Sequence, residues 1–178
     1  LGDVYKRQAV FTPENLQRFR LIVLNHKSGT VWTPDQRQAL KDYVESGGTL
    51  LAQHAAGGDQ GYDWSWYFEQ VLRAQFVDHP MVEHIQQATL VVEDRSHPAT
   101  AHLPSAWTRR DEWYNFVSSP RANTQVLISI DEATYDPETS PMGADHPMVW
   151  WHWVGKGRVF YSALGHTTCL LYTSPSPR

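Results

Sequence analysis

The chain has 178 residues, a formal net charge of −4 at neutral pH and a single cysteine. Its length is typical of one globular domain of ordinary size. The acidic balance argues against a general attraction to nucleic acid or to an anionic membrane surface. No internal apolar run approaches the roughly 20 residues that a membrane helix needs.

The two ends of the chain are interpreted as translated adapter DNA. The first residues, LGDVYKRQ, can be encoded by DNA whose reverse complement, read one base in, encodes CLLYTSP, the run that begins at Cys169. Two unrelated termini would hardly encode opposite strands of one duplex by chance. Residues 1–8 and 169–178 are therefore set aside as non-native, which leaves residues 9–168 as one truncated domain. Because Cys169 goes with them, thiol catalysis, disulfides and cysteine metal sites are not expected.

The N-terminal half predicts a strand, a helix and a second strand in a parallel βαβ unit. The apolar run 21–24 predicts an interior strand. Thr33, Pro34 and Gln36 have the spacing of an N-cap, a first-turn proline and a capping box, so a helix is expected to follow. A glycine pair ends that helix, and residues 49–55 predict the second strand.

Helical and strand-like runs alternate through the rest of the domain. We predict a helix over 64–74 and strands over 88–93, 113–117, 125–130, 148–154 and 158–164. Gly155, Lys156 and Gly157 predict a hairpin turn between the last two strands. One α/β domain accounts for all of these elements.

His54 is the first candidate for chemistry because it stands at the end of an apolar strand. In an open α/β sheet, ligands bind at the carboxyl ends of the strands. An imidazole there can act as a base or as a metal ligand near neutral pH. The alternative is a histidine that only fills a hydrogen-bonded niche. His166 follows the last predicted strand and is also expected at a sheet edge.

Asp111 and Glu112 adjoin an aromatic run, and neighbouring carboxylates in a strand point to opposite faces. At most one of them is therefore expected to face a given pocket. The alternative is a solvated loop in which the pair balances the two preceding arginines. If His54 and His166 share an edge, two imidazoles and a carboxylate could bind Zn²⁺ or another divalent ion with one position open.

The remaining candidates are aromatic residues and histidines. Trp64, Trp66 and Trp113 have flat faces suited to stacking on sugars, with core packing as the alternative. Three histidines directly precede prolines, which restrict them to extended conformations: His79, His97 and His146. The alternative for each is that the His-Pro pair only shapes a loop. Context assigns no role to three others: His26, His84 and His102. The run GKGR lacks the spacing of a phosphate loop, and no nucleotide cofactor is expected.

Five stretches occur in order along nearly the whole of residues 9–168: GGTLLAQHAAG, FVDHP, VEDRSHPAT, DEWYNF and GKGRVFYSALGHT. In this combination the chain resembles the trehalose-utilisation (ThuA-like) family, whose fold is similar to that of class I glutamine amidotransferases. The resemblance implies an open, mostly parallel, flavodoxin-like α/β sheet with helices on both faces. It also implies that the N-terminal strand and helix of the family are missing, so we expect a marginal or aggregation-prone chain.

The resemblance also implies a site. In amidotransferase-like folds the turn after this strand presents the nucleophile, and His54 stands where a cysteine would, so a glutaminase reaction is not expected. The implied catalytic residues are His54, Asp111, Glu112 and His166. The predicted substrate-binding residues are His79, His97 and Tyr114 from the resemblance, and Trp64 and Trp113 from their flat aromatic faces. The predicted metal ligands, which follow from the expected placement at one sheet edge, are His54, Glu112 and His166. His146 and His152 match the family pattern less well.

The implied function is metal-assisted or histidine–carboxylate acid–base chemistry on trehalose or a keto sugar, of the hydrolase, lyase or isomerase type. The alternative is a non-catalytic carbohydrate-binding or interaction module with the same fold. A small carbohydrate is the expected partner, without nucleic acid or membrane, and self-association is left open. Either the bacterial cytoplasm or the periplasm fits these features.

Overall fold

The computed structural model describes residues 10–58 and 63–166, so the proposed adapter-derived ends lie outside the described residues. The strands are β1 Leu21–Asn25, β2 Thr49–Gln53, β3 Phe76–Asp78, β4 Gln86–Val92, β5 Ala106–Asp111, β6 Asn115–Phe116, β7 Gln125–Asp131, β8 Pro147–Val154 and β9 Gly157–Ser162. The α-helices are α1 Pro13–Leu16 and α2 Pro34–Ser46. Short 3₁₀ turns cover His54–Ala56, Pro120–Asn123 and Glu132–Thr134, and a π-helical turn covers Tyr67–Leu72.

Seven strands form one sheet in the order β1-β2-β9-β8-β7-β4-β5, and β3 pairs with β6 in a separate ribbon. The α/β class is confirmed. The parallel pairs are β1 with β2 and β2 with β9, and the remaining strands of the large sheet pair antiparallel. These directions point the carboxyl ends of β1, β2, β9, β7 and β5 to the same side of the sheet. We call this side the carboxyl edge.

Helix α2 forms where the sequence predicts it. The Thr33 hydroxyl accepts the N–H of Gln36, and the Gln36 side chain accepts the N–H of Thr33, so the predicted capping box is present. The helix ends at Gly47, whose φ of 131° is accessible to glycine. Its apolar face packs on the sheet through four buried residues: Ala39, Leu40, Tyr43 and Val44.

Four elements differ from the sequence prediction, and one of them is β3, which was not predicted. The expected helix over 64–74 is reduced to the segment ending at Leu72, because Arg73 adopts a left-handed conformation with a φ of 58°. The expected strand over 113–117 contains only β6. Strand β5 was not predicted, because its sequence AWTRRD is polar and only alternate residues are shielded on this edge strand.

The core contains large aromatic side chains whose polar atoms are satisfied. Trp150 is fully buried, and its Nε1–H donates to the carbonyl of Leu72 at 2.9 Å. Its ring packs 4.7 Å from that of Tyr161. Among the described residues, no helix combines the length and apolar character required to cross a membrane.

Candidate functional site

A cluster of histidines surrounds Glu112 at the carboxyl edge. Glu112 directly follows β5, His54 follows β2, and His166 lies beyond the end of β9. His84 stands just before β4, which runs in the opposite direction and so begins at this edge, and His79 follows β3. The strand directions therefore bring together five residues that are far apart in sequence.

Each oxygen of Glu112 faces two imidazoles. Oε2 lies 3.2 Å from Nε2 of His54 and 3.2 Å from Nδ1 of His166. Oε1 lies 3.5 Å from Nε2 of His79 and is in direct contact with Nε2 of His84. One buried carboxylate is therefore shared by four rings, of which His166 and His84 reach the surface with 40% and 47% of their side chains exposed.

His54 is buried and has one nitrogen without a hydrogen bond. Its Nδ1 lies 3.0 Å from the hydroxyl of Tyr114. Its Nε2 has no aligned hydrogen-bond partner, although Oε2 of Glu112 is close. Burial lowers the pKa of His54, which favours the neutral ring at neutral pH. In the tautomer that donates Nδ1–H to the Tyr114 hydroxyl, Nε2 presents a lone pair toward the carboxylate, where a cation could bind it.

Glu112 is ionised in this setting. Burial by itself raises the pKa of this carboxyl group. The close approach of the His54 ring, and the positive charge of His79, His54 and His166 when those rings are protonated, outweigh that effect and lower the pKa to about 2. The cluster therefore contains a carboxylate that is negatively charged at neutral pH.

Asp111 is fully buried, and its oxygens bond to backbone and arginine donors, so Glu112 is the one of the two neighbouring carboxylates that contacts the four imidazoles. Its Oδ1 accepts the N–H groups of His166 and Glu112, at 3.0 and 3.1 Å. Its Oδ2 accepts the N–H of Gly165 and Nε–H of Arg109, both at 2.9 Å. The burial rules out the solvated-loop alternative. Both oxygens of Asp111 are taken up by protein donors, and one of these bonds fixes the backbone of His166.

Tyr114 is held from two sides. Its ring centroid lies 4.3 Å from that of His54. Its carbonyl accepts the Nε2–H of His146 at 2.9 Å, and Nδ1 of that buried ring lies 3.2 Å from Glu132. His146 thus supports the residue that orients His54. His152 is also buried and donates to the carbonyl of Gln70, at 2.7 Å.

Two predicted substrate-binding residues lie elsewhere. The ring of His97 packs 5.7 Å from Trp151 and 6.3 Å from Phe160, on the face of the sheet. Trp113 is fully buried, and its Nε1–H donates to the carbonyl of Gln86 at 3.0 Å, so neither ring face is available to a sugar. Trp64 is partly buried and stacks on Trp66 with a centroid separation of 5.0 Å.

The structure adds His26 and His84 to the site. His26 follows β1 as His54 follows β2, and its ring lies 5.0 Å from that of His54. The position of His26 could have been predicted from the parallel βαβ unit, because that unit places the carboxyl ends of β1 and β2 side by side. His84 carried no such signal, because the start of β4 was predicted too late and β5 was not predicted.

Two sets of side chains in this cluster could hold a metal ion. They are His54, Glu112 and His166, and His79, His84 and Glu112. Within each set the ligand atoms lie within 4.8 Å of one another. Two imidazoles and a carboxylate match the donors that bind zinc in catalytic sites with an open position. A separate cavity of about 630 Å³ lies beside β7, and its lining includes none of the four histidines.

Comparisons with known proteins agree with the sequence motifs. A family model described as trehalose utilisation (ThuA) matches residues 2–178. A ThuA-like protein from Bacteroides uniformis superposes with a TM-score of 0.75 at 25% identity, over 95% of this chain and 67% of that one. One from Parabacteroides merdae gives a TM-score of 0.67 at 21% identity, over 85% and 62%.

A part of a larger enzyme shares the fold. A β-galactosidase from Bacillus circulans superposes with a TM-score of 0.59 at 14% identity, over 90% of this chain and 23% of that one. No protein with a curated description matches the chain. Because the family model matches nearly the whole length of the chain, the chain belongs to the ThuA family of trehalose utilisation.

Proposed function

We propose that this chain is an enzyme domain that acts on a sugar with the help of a divalent cation held by His54, Glu112 and His166. The carrying observation is the buried Nε2 of His54, which has no hydrogen-bond partner and meets Nδ1 of His166 at the same oxygen of Glu112. A cation bound there would supply positive charge to stabilise an oxyanion formed from a carbonyl.

His26 is the proposed base. Its Nε2–H donates to the carbonyl of Gly165 at 2.7 Å, so Nδ1 is the unprotonated nitrogen of the neutral ring. The residue is exposed and lies beside His54, so a substrate at the cluster can reach it. In a keto sugar, His26 would remove the proton from the carbon next to the carbonyl, the first step of either elimination or isomerisation.

The family description supports a sugar as the substrate class, since it refers to trehalose utilisation. The stacked pair Trp64 and Trp66 supports it further, because such rings pack against the apolar faces of sugars. The keto form is favoured because its acidic C–H bond gives a histidine base a reaction that an unmodified disaccharide does not offer.

The test combines metal binding with proton exchange. Calorimetric titration with Zn²⁺ and Mn²⁺ is expected to detect binding that His54→Ala abolishes and His102→Ala, a change at an exposed histidine outside the cluster, retains. Keto derivatives of trehalose in D₂O are expected to exchange the proton next to the carbonyl, as followed by NMR. His26→Ala should slow that exchange and leave metal binding unchanged. Full exchange rates in both His26→Ala and His54→Ala would refute the proposal.

A non-catalytic sugar-binding module is the second candidate, and the Trp64–Trp66 stack is the observation that favours it. In that case sugar affinity survives His54→Ala but is lost in Trp64→Ala. Trp113 is unsuitable for this test, because its burial makes any substitution a change of the core.

A further inference from the structure

We propose that Glu112 bridges two divalent cations, the second of which is bound by His79 and His84. This inference rests on the proposed function, because it extends the same site. Glu112 has two oxygens, and each faces its own pair of imidazoles: His54 and His166 at Oε2, and His79 and His84 at Oε1. A carboxylate with one cation at each oxygen is a recurrent feature of two-metal sites.

The tautomer of His79 provides the first argument. Its Nδ1 lies 3.0 Å from the carbonyl of Pro80, and a carbonyl can only accept, so Nδ1 carries the proton. In the neutral ring, Nε2 therefore presents a lone pair toward Oε1 of Glu112, 3.5 Å away. Two acceptors that face each other repel, and a cation between them removes the repulsion. The bond from Nδ1–H to a carbonyl is also the usual way in which a metal-binding histidine is oriented.

The position of His84 provides the second argument. Its ring stacks on His79 with a centroid separation of 4.6 Å, and its Nε2 contacts the same oxygen of Glu112. The ring also lies 5.2 Å from that of His166, so the two ligand sets adjoin. Shared coordination of a cation explains why both turn inward.

The segment that carries these two histidines is held in place. The N–H groups of Met81 and Val82 donate to the two carboxylate oxygens of Glu138, each at 2.8 Å. Glu138 itself adopts a left-handed conformation with a φ of 58°. A fixed loop lowers the entropic cost of bringing both ligands to the same point, which favours a built site over a chance encounter.

Two adjacent cations select a class of substrate. They would suit a ligand with two neighbouring oxygens, such as a sugar ketone with a hydroxyl on the next carbon. A sugar without the carbonyl offers two weakly donating hydroxyls and is expected to compete poorly.

Metal stoichiometry tests the inference. The full chain is loaded with Mn²⁺, freed of excess metal by gel filtration and measured by mass spectrometry for manganese per chain. We expect two equivalents in the unmodified chain and in the His102→Ala control, and one in the double variant His79→Ala/His84→Ala. Electron paramagnetic resonance of the unmodified chain should show a spin-coupled manganese pair, a readout that needs no variant.

The outcomes separate the two proposals. One equivalent in the unmodified chain, lost on His54→Ala, would overturn the second cation and leave the proposed function standing. Two equivalents that persist in the double variant would also overturn it, since the second ion would then lie elsewhere. An unmodified chain that binds no Mn²⁺ or Zn²⁺ would remove both metal proposals.

Discussion

The substitution Asp111→Asn tests whether a buried carboxylate holds the site together. Four donors converge on Asp111: the N–H groups of Glu112, Gly165 and His166 and the side chain of Arg109. An amide of the same shape keeps one acceptor oxygen, so two donors lose their partner. At about 1.5 kcal/mol for each hydrogen bond to a charged group, the loss is about 3 kcal/mol. With a urea m-value of about 2 kcal/mol per M, the unfolding midpoint should fall by about 1.5 M.

Urea unfolding followed by tryptophan fluorescence measures this loss, and calorimetry measures the linked loss of metal affinity. Because Asp111 fixes the backbone of His166, we expect Mn²⁺ to bind about 10-fold more weakly or worse. Asp42→Asn is the matched control, since this residue is exposed and, among the described residues, its carboxylate bonds to the Gln38 side chain alone. It should stay within about 0.5 kcal/mol of the unmodified chain. Unchanged stability in Asp111→Asn would refute the burial argument. Lower stability with full metal affinity would refute the positioning role.

Three further predictions concern packing, pH and the orientation of the site. Gly157→Ala places a Cβ on the carbonyl oxygen of Val44, where backbone must move, so we expect a loss of about 3 kcal/mol or more in urea unfolding. The hydrogen bond from Arg121 holds the pKa of Glu93 below its usual value, so the stability from this pair is present above the usual carboxyl pKa and is lost as pH falls through the folded value. Urea unfolding between pH 7 and 3 should therefore show a shallower loss in Glu93→Gln than in the unmodified chain, and equal slopes would contradict the assignment. Tyr114→Phe removes the hydroxyl that is bonded to Nδ1 of His54, and it should weaken Mn²⁺ binding about 10- to 100-fold in calorimetry. Unchanged affinity would argue against a role of Tyr114 in orienting His54.

Local sequence signals were sufficient for the elements whose stability is local. The capping box at Thr33 and the glycine at 47 mark the ends of α2, because those caps act within one helical turn. The apolar run of β1 and the hairpin turn before β9 were also recognisable. Strand β5 was missed because its position depends on pairing with β4, which supplies the partner for a polar segment that has no pattern of its own.

The same distinction applies to the site. His54 could be singled out because its strand, its fold class and its residue type all pointed to the carboxyl edge. The convergence of His79 and His84 on Glu112 was not predictable, since it depends on where β3, β4 and β5 lie relative to one another. Trp113 was misassigned because composition does not distinguish a buried indole bonded to a carbonyl from one that faces solvent.

At the carboxyl edge, the backbone is left-handed at two of the histidines. His26 and His54 adopt left-handed conformations, with φ values of 51° and 49°, directly after the parallel pair β1 and β2. Each such residue costs about 1 kcal/mol or more relative to an extended one, because its Cβ crowds the carbonyl oxygen that follows. In an extended continuation of β2, the ring of His54 would point to one face of the sheet. The left-handed turn instead directs it beyond the strand end, where Glu112 and His166 lie, so the strained conformation places the ring in the cluster.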